Sequence, residues 1–103
     1  MLSRREKIEQ MLLREPNDVF LHFSLAMELA KEGRTDEAVS QFDRVVSLDP
    51  SYTAARFQKG TTLANAGRRE DAKKALRDGI VAARQHGDDH AASEMQDALD
   101  SLG

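Results

Sequence analysis

The chain contains no cysteine. Disulfides and thiolate metal sites are therefore excluded, and the composition agrees with a reducing compartment. Aromatic residues make up only 5% of its 103 residues and hydrophobic residues 40%. That is lean for a deep spherical core, but adequate for helices that are each buried on one side. No apolar run approaches the roughly 20 residues of a membrane span. The opening residues, Met1-Leu2-Ser3-Arg4-Arg5-Glu6, turn charged at once, unlike a signal peptide. Lys and Arg number 15 against 18 Asp and Glu, a net charge of −3. No chain-wide cationic field exists to attract nucleic acid. The expectation is one soluble, cytoplasmic domain with neither a nucleic-acid nor a membrane partner.

Proline is also scarce, and its two occurrences are informative. Pro16 recurs 34 residues later as Pro50, and the residues between return in step. Laying 16–49 over 50–83 puts Phe23 on Phe57, Leu29-Ala30 on Leu63-Ala64, Gly33-Arg34 on Gly67-Arg68 and Ala38 on Ala72. Seven of the 34 columns are identical, where ordinary composition gives roughly two by chance. A fixed period of this size marks repeat architectures, whose units bury their apolar faces only by stacking.

Each periodic stretch reads as helix, bounded by its own start and stop signals. Ser3 and Glu6 form a capping box for a first helix carrying Ile8, Met11 and Leu12 on one face. Pro16 ends it, because the ring disfavours helical geometry at Glu15. Asn17 or Asp18 caps a second helix that runs to about Lys31, with Leu21, Leu25, Ala26 and Leu29 along one stripe. Gly33 stops that one, and Thr35 or Asp36 starts a third, which carries Ala38, Phe42, Val45 and Val46. A fourth helix over about 52–66 ends at Gly67, and a fifth runs from about Arg69 to Gln85 with Ala72, Ala75, Leu76 and Ile80 inward. The last holds Ala91, Ala92, Met95, Ala98, Leu99 and Leu102 in one seam. Links this short force antiparallel neighbours.

These residues resemble the tetratricopeptide repeat family, whose 34-residue unit is a pair of helices with small residues where they cross. Residues 19–50 match through His22, Leu25-Ala26, Leu29, Gly33, Ala38, Phe42, Val45 and Asp49-Pro50. The next unit matches only in part: Arg56 and Lys59 stand at the large and leucine positions, and Arg84 replaces the closing proline. The resemblance implies an all-α, right-handed α-solenoid of antiparallel helix pairs, about three units in six helices. It divides the single domain into an N-terminal half-repeat helix (3–15), a first repeat (17–50), a degenerate second repeat (51–86) and a C-terminal capping helix (88–102).

The same resemblance implies a concave groove for a partner's peptide or helix, lined by Phe20, Phe23, Met27 and Lys31 from one helix and by Phe57, Thr61 and Asn65 from the next. Phe23 and Phe57, at one repeat position, are expected side by side. Some family members grip a free carboxylate with Lys and Asn on successive helices. Here Phe23, Met27 and Gln58 stand at those positions, so that clamp is not expected.

No catalytic constellation emerges, and no cofactor is implied. The segment His86-Gly87-Asp88-Asp89-His90 gathers metal-capable side chains, but a helix break followed by a capping aspartate accounts for it without a metal. The basic residues Arg68, Arg69, Lys73, Lys74 and Arg77 are threaded with Glu70, Asp71 and Asp78, as on a solvated face. After Arg84 come five acids and no Lys or Arg, whereas the chain begins with Arg4, Arg5 and Lys7. Ends of opposite sign could meet, which leaves a self-associating homo-oligomer as an alternative to peptide binding. An RNA-binding helical repeat is a third reading, opposed by the net charge.

Overall fold

A computed structural model of the protein describes residues 1–103 and contains six helices and no strand: α1 (Arg4–Arg14), α2 (Val19–Lys31), α3 (Thr35–Leu48), α4 (Thr53–Asn65), α5 (Arg69–Gln85) and α6 (Asp89–Leu102). α2 packs on α3, α4 on α5, and each pair packs on the next. α1 leans on α2 and α6 on α5, so the stack is extended at 42 × 29 × 16 Å. This is an all-α helical-repeat solenoid.

Local chemistry sets the helix ends. At α1 the Ser3 hydroxyl accepts from the Glu6 N–H at 3.1 Å, and the Glu6 carboxylate accepts from the Ser3 N–H at 2.9 Å. The Ser3 N–H first, and the Ser3 hydroxyl after it, hold the Glu6 carboxyl below its ordinary pKa. α2 and α6 are capped by Asp18 and Asp88, whose side chains accept from Leu21 N and Ala91 N. At the end of α2, Gly33 adopts φ 75°. The Arg34 N–H can then reach back to the Leu29 carbonyl at 2.9 Å and the Gly33 N–H to Ala30 at 3.1 Å. The same pair of bonds closes α4 at Gly67 and α5 at Gly87.

α3 starts at Thr35 and α5 at Arg69, as the sequence reading expects. Their capping residues are Arg34 and Arg68, which make no side-chain cap bond. The glycine turn leaves no room for a separate capping residue between the two helices. Instead each guanidinium folds over the first turn, Arg34 onto Glu37 at 2.8 Å and Arg68 onto Asp71 at 3.0 Å. Arg68 also pairs with Asp36, which joins one helix pair to the next. These carboxylates raise the basicity of both arginines, Glu37 acting on Arg34 and Asp36 then Asp71 on Arg68.

The core is a string of clusters. Ile8, Leu25, Ala26, Leu29, Ala38, Phe42, Val45 and Ala55 form the first, drawn from α1 to α4. Leu63, Ala72 and Ala75 join α4 to α5, and Leu76, Ile80, Ala83, Ala91, Ala92 and Met95 join α5 to α6. Small residues set the spacing. A Cβ added at Gly60 would sit 2.6 Å from Leu76 Cδ2, inside van der Waals contact. Met11, expected on the core face of α1, is 51% exposed, while its 34-residue counterpart Val45 is fully buried. Val45 has a helix on each side; α1 has only α2.

Candidate binding surface

α2 carries two different faces. Leu25, Ala26 and Leu29 point into the first cluster, which leaves Phe20, Phe23, Met27 and Lys31 on the remaining arc at helical spacing. Phe20 is 66% exposed. Phe23 and Met27 are half-buried and pack on the first cluster from outside. Lys31 is exposed, with Nζ 3.5 Å from Glu28 Oε1; that carboxylate also takes Arg4 Nε at 2.8 Å.

Phe23 and Phe57 do not lie ring to ring. Phe23 meets Phe42 edge-on at 5.9 Å between centroids, and tilts against Tyr52 at 5.2 Å. Tyr52, in the turn into α4, supplies the ring that Phe57 was expected to supply. Burial among these rings raises the Tyr52 phenol pKa, with Asp49 adding to the effect. Phe57 packs instead on the α5/α6 cluster. It also borders a shallow depression between the starts of α4 and α6, with Ala54, Gln58, His90 and Glu94. Thr61 is half-buried; Asn65 is exposed and lines a second depression with Ala30, Gly33 and Thr62. The seven residues thus form two patches, an aromatic one on α2 and a mixed one on α4.

Two further side chains carry structural work that single positions in the sequence did not reveal. His22 bridges α2 to the rest of its unit: Nε2 donates to the Pro16 carbonyl at 2.7 Å, and Nδ1 lies 2.8 Å from the Gln41 side-chain amide. A backbone carbonyl can only accept, so Nε2 is the donor in that bond. Arg56, at the large packing position of α4, places its Nε where no hydrogen-bond partner reaches it. The charge of Arg56 marked it as irregular in the sequence, but its burial needed the neighbouring helices. His86 and His90 are exposed, Asp88 caps α6, and no group of three or more His, Asp or Glu converges as a metal site.

The comparisons with known proteins agree with this geometry. The tetratricopeptide repeat pattern matches residues 29–99. The chain belongs to the tetratricopeptide repeat family. It is 31% identical over 90 residues to the TPR repeat-containing protein PA0015 of Pseudomonas aeruginosa, covering 87% of this chain and 86% of that one. The solution structure of protein BPP2914 from Bordetella parapertussis superposes with a TM-score of 0.84 at 30% identity, over 99% of this chain and 89% of the other. The TPR2B domain of yeast Sti1, solved as a pHsp70 complex, has a TM-score of 0.82 at 19% identity, over 95% and 78% of the two chains. At that identity the last likeness concerns the fold alone. No helix is long and apolar enough to cross a membrane.

Proposed function

We propose that the protein is a non-catalytic interaction module that receives a peptide or helix of a partner protein along α2 and α4. Phe20, Phe23, Met27, Lys31, Phe57, Thr61 and Asn65 are its contact residues. The carrying observation is Phe20, a phenyl ring 66% exposed beside the half-buried Phe23 and Met27. An aromatic flanked by a thioether is an adaptable anchor for an apolar side chain. The Sti1 domain, which shares the fold and was solved as a pHsp70 complex, supports the reading. With Phe23, Met27 and Gln58 at the clamp positions, recognition rests on apolar contact rather than on a terminal carboxylate. We place the protein in the cytoplasm, where a chain without cysteine is at no disadvantage.

Selection from a random peptide library tests the proposal. Peptides that bind the wild type should lose about 1–3 kcal/mol on Phe20→Ala/Met27→Ala, the range for an interface anchor. Thermal unfolding should show only a modest loss, because Phe20 lies outside the core and Met27 packs on the first cluster from outside. Binding equal to wild type would end the proposal.

A further inference from the structure

The two ends of the stack are complementary halves. α2, α4 and α6 begin at Val19, Thr53 and Asp89, 34 and 36 residues apart, the longer step reflecting the 17-residue α5. Gly60 and Ala64 of α4 therefore correspond to Gln96 and Asp100 of α6. Gly60 lies against Leu76 of α5, and Ala64 packs with Ala72 and Ala75. No helix covers the equivalent positions of α6, which hold a half-buried glutamine and an exposed aspartate bonded to each other at 3.0 Å.

At the opposite end, Lys7 corresponds to Gln41 of α3 and Ala75 of α5 at the 34-residue period. Gln41 meets His22 of α2, and Ala75 meets Leu63 of α4. Both thus face the helix that precedes them. No helix packs on the equivalent face of α1, which exposes Lys7, Met11 and Arg14. Neither Lys7 nor Arg14 forms an ion pair.

We propose that α6 of one copy docks on the uncovered face of α1 of a second copy, so that copies associate head to tail. The charges match. Residues 88–103 hold Asp88, Asp89, Glu94, Asp97 and Asp100 with no Lys or Arg, while the open face of α1 carries Lys7 and Arg14 beside Met11. The lengths match too: Arg4 to Arg14 spans about 15 Å of helix and Asp89 to Asp100 about 16 Å at the usual rise. The antiparallel crossing of neighbouring helices sets Arg14 near Asp89 and Lys7 toward Asp100. A second copy suits this face better than a generic apolar partner, because Lys7, Gln10 and Arg14 outnumber its apolar Met11 and Leu13. The contact is heterologous and continues from copy to copy. It is also small and charge-rich, so it is weak and sensitive to salt.

Sedimentation velocity on the full chain tests this. In about 10 mM salt the average mass should rise with protein concentration, and in about 0.5 M salt it should stay monomeric. Lys7→Glu/Arg14→Glu and Asp89→Lys/Asp100→Lys should each weaken association tenfold or more, since each sets like charges face to face. An equimolar mixture of the two should regain it, because each variant then meets an end of opposite sign. Circular dichroism checks that both fold. If either does not, Lys7→Gln/Arg14→Gln and Asp89→Asn/Asp100→Asn should show the same losses in smaller measure. A monomer at every concentration in low salt would overturn the proposal. So would loss confined to the α1 variant, which would mean that α1 pairs with itself. Phe20→Ala/Met27→Ala should leave association intact; its loss would assign the contact to the peptide-binding surface instead.

Discussion

Asp88 and Thr53 are 35 residues apart in sequence and share a hydrogen bond of 2.7 Å, the Thr53 hydroxyl donating to the carboxylate. The other carboxylate oxygen accepts from the Ala91 N–H at 3.0 Å. One side chain thus caps α6 and ties its first turn to the first turn of α4. Those two bonds, the threonine's first, hold the Asp88 carboxyl below the ordinary aspartate range.

This arrangement predicts a pH signature. The folded pKa lies below the unfolded value of about 3.9, so the stabilisation is fully present above that value and is lost as pH falls through the folded pKa. Asp88→Ala should therefore lower stability at neutral pH, and the gap from wild type should narrow in acid. Urea unfolding at pH 7 and at about pH 3 measures both arms. A gap of equal size at the two pH values would contradict the assignment.

Gly60→Ala sets two effects against each other. Helix propensity favours alanine by about 1 kcal/mol. The new Cβ would meet Leu76 Cδ2 at 2.6 Å, and Leu76 is only 1% exposed, with little room to move. Overpacking of that kind costs about 1–3 kcal/mol. The net expectation is destabilisation in chemical denaturation, relieved by adding Leu76→Val.

Phe42 and Phe20 should behave as opposites although both are phenylalanines. Phe42 is 1% exposed and meets the edge of Phe23, so Phe42→Ala should cost about 3–5 kcal/mol. Phe20, on the open arc of α2, should change stability by no more than about 0.5 kcal/mol when truncated. Parallel denaturation curves separate them.

Arg56→Met should stabilise the fold by about 1 kcal/mol, read as a raised Tm. The substitution removes a buried Nε donor without a partner and keeps an unbranched side chain to fill the space beside Gly79. A lowered Tm would mean that the guanidinium contact with the Pro50 carbonyl at 3.4 Å matters more than it appears geometrically.

Much of the architecture was legible before any coordinates. The 34-residue return of Pro16 as Pro50 named the repeat, and Gly33, Gly67 and Gly87 marked three helix ends through a backbone geometry that glycine adopts most readily. The starts of α3 and α5, at Thr35 and Arg69, were legible in the same way. That Arg34 and Arg68 precede them without a side-chain cap bond, each guanidinium turned onto a carboxylate of the first turn, was not. On the binding surface, helical spacing was enough to set Phe20, Phe23, Met27 and Lys31 on one arc of α2. It could not foresee that Tyr52 would take the place beside Phe23 and send Phe57 to the next cluster.

The division follows the range of the forces involved. Helix type, length and ends depend on contacts within about four residues, and the sequence alone determined those together with the period that makes the helices stack. Burial depends on helices brought together from more than thirty residues away. Only the tertiary structure decided that Val45 is enclosed while Met11 is half bare, that Arg56 loses a partner for its Nε, and that Asp88 reaches across to Thr53. Equivalent positions in a repeat share a local geometry, but their surroundings differ with the number of helices on either side.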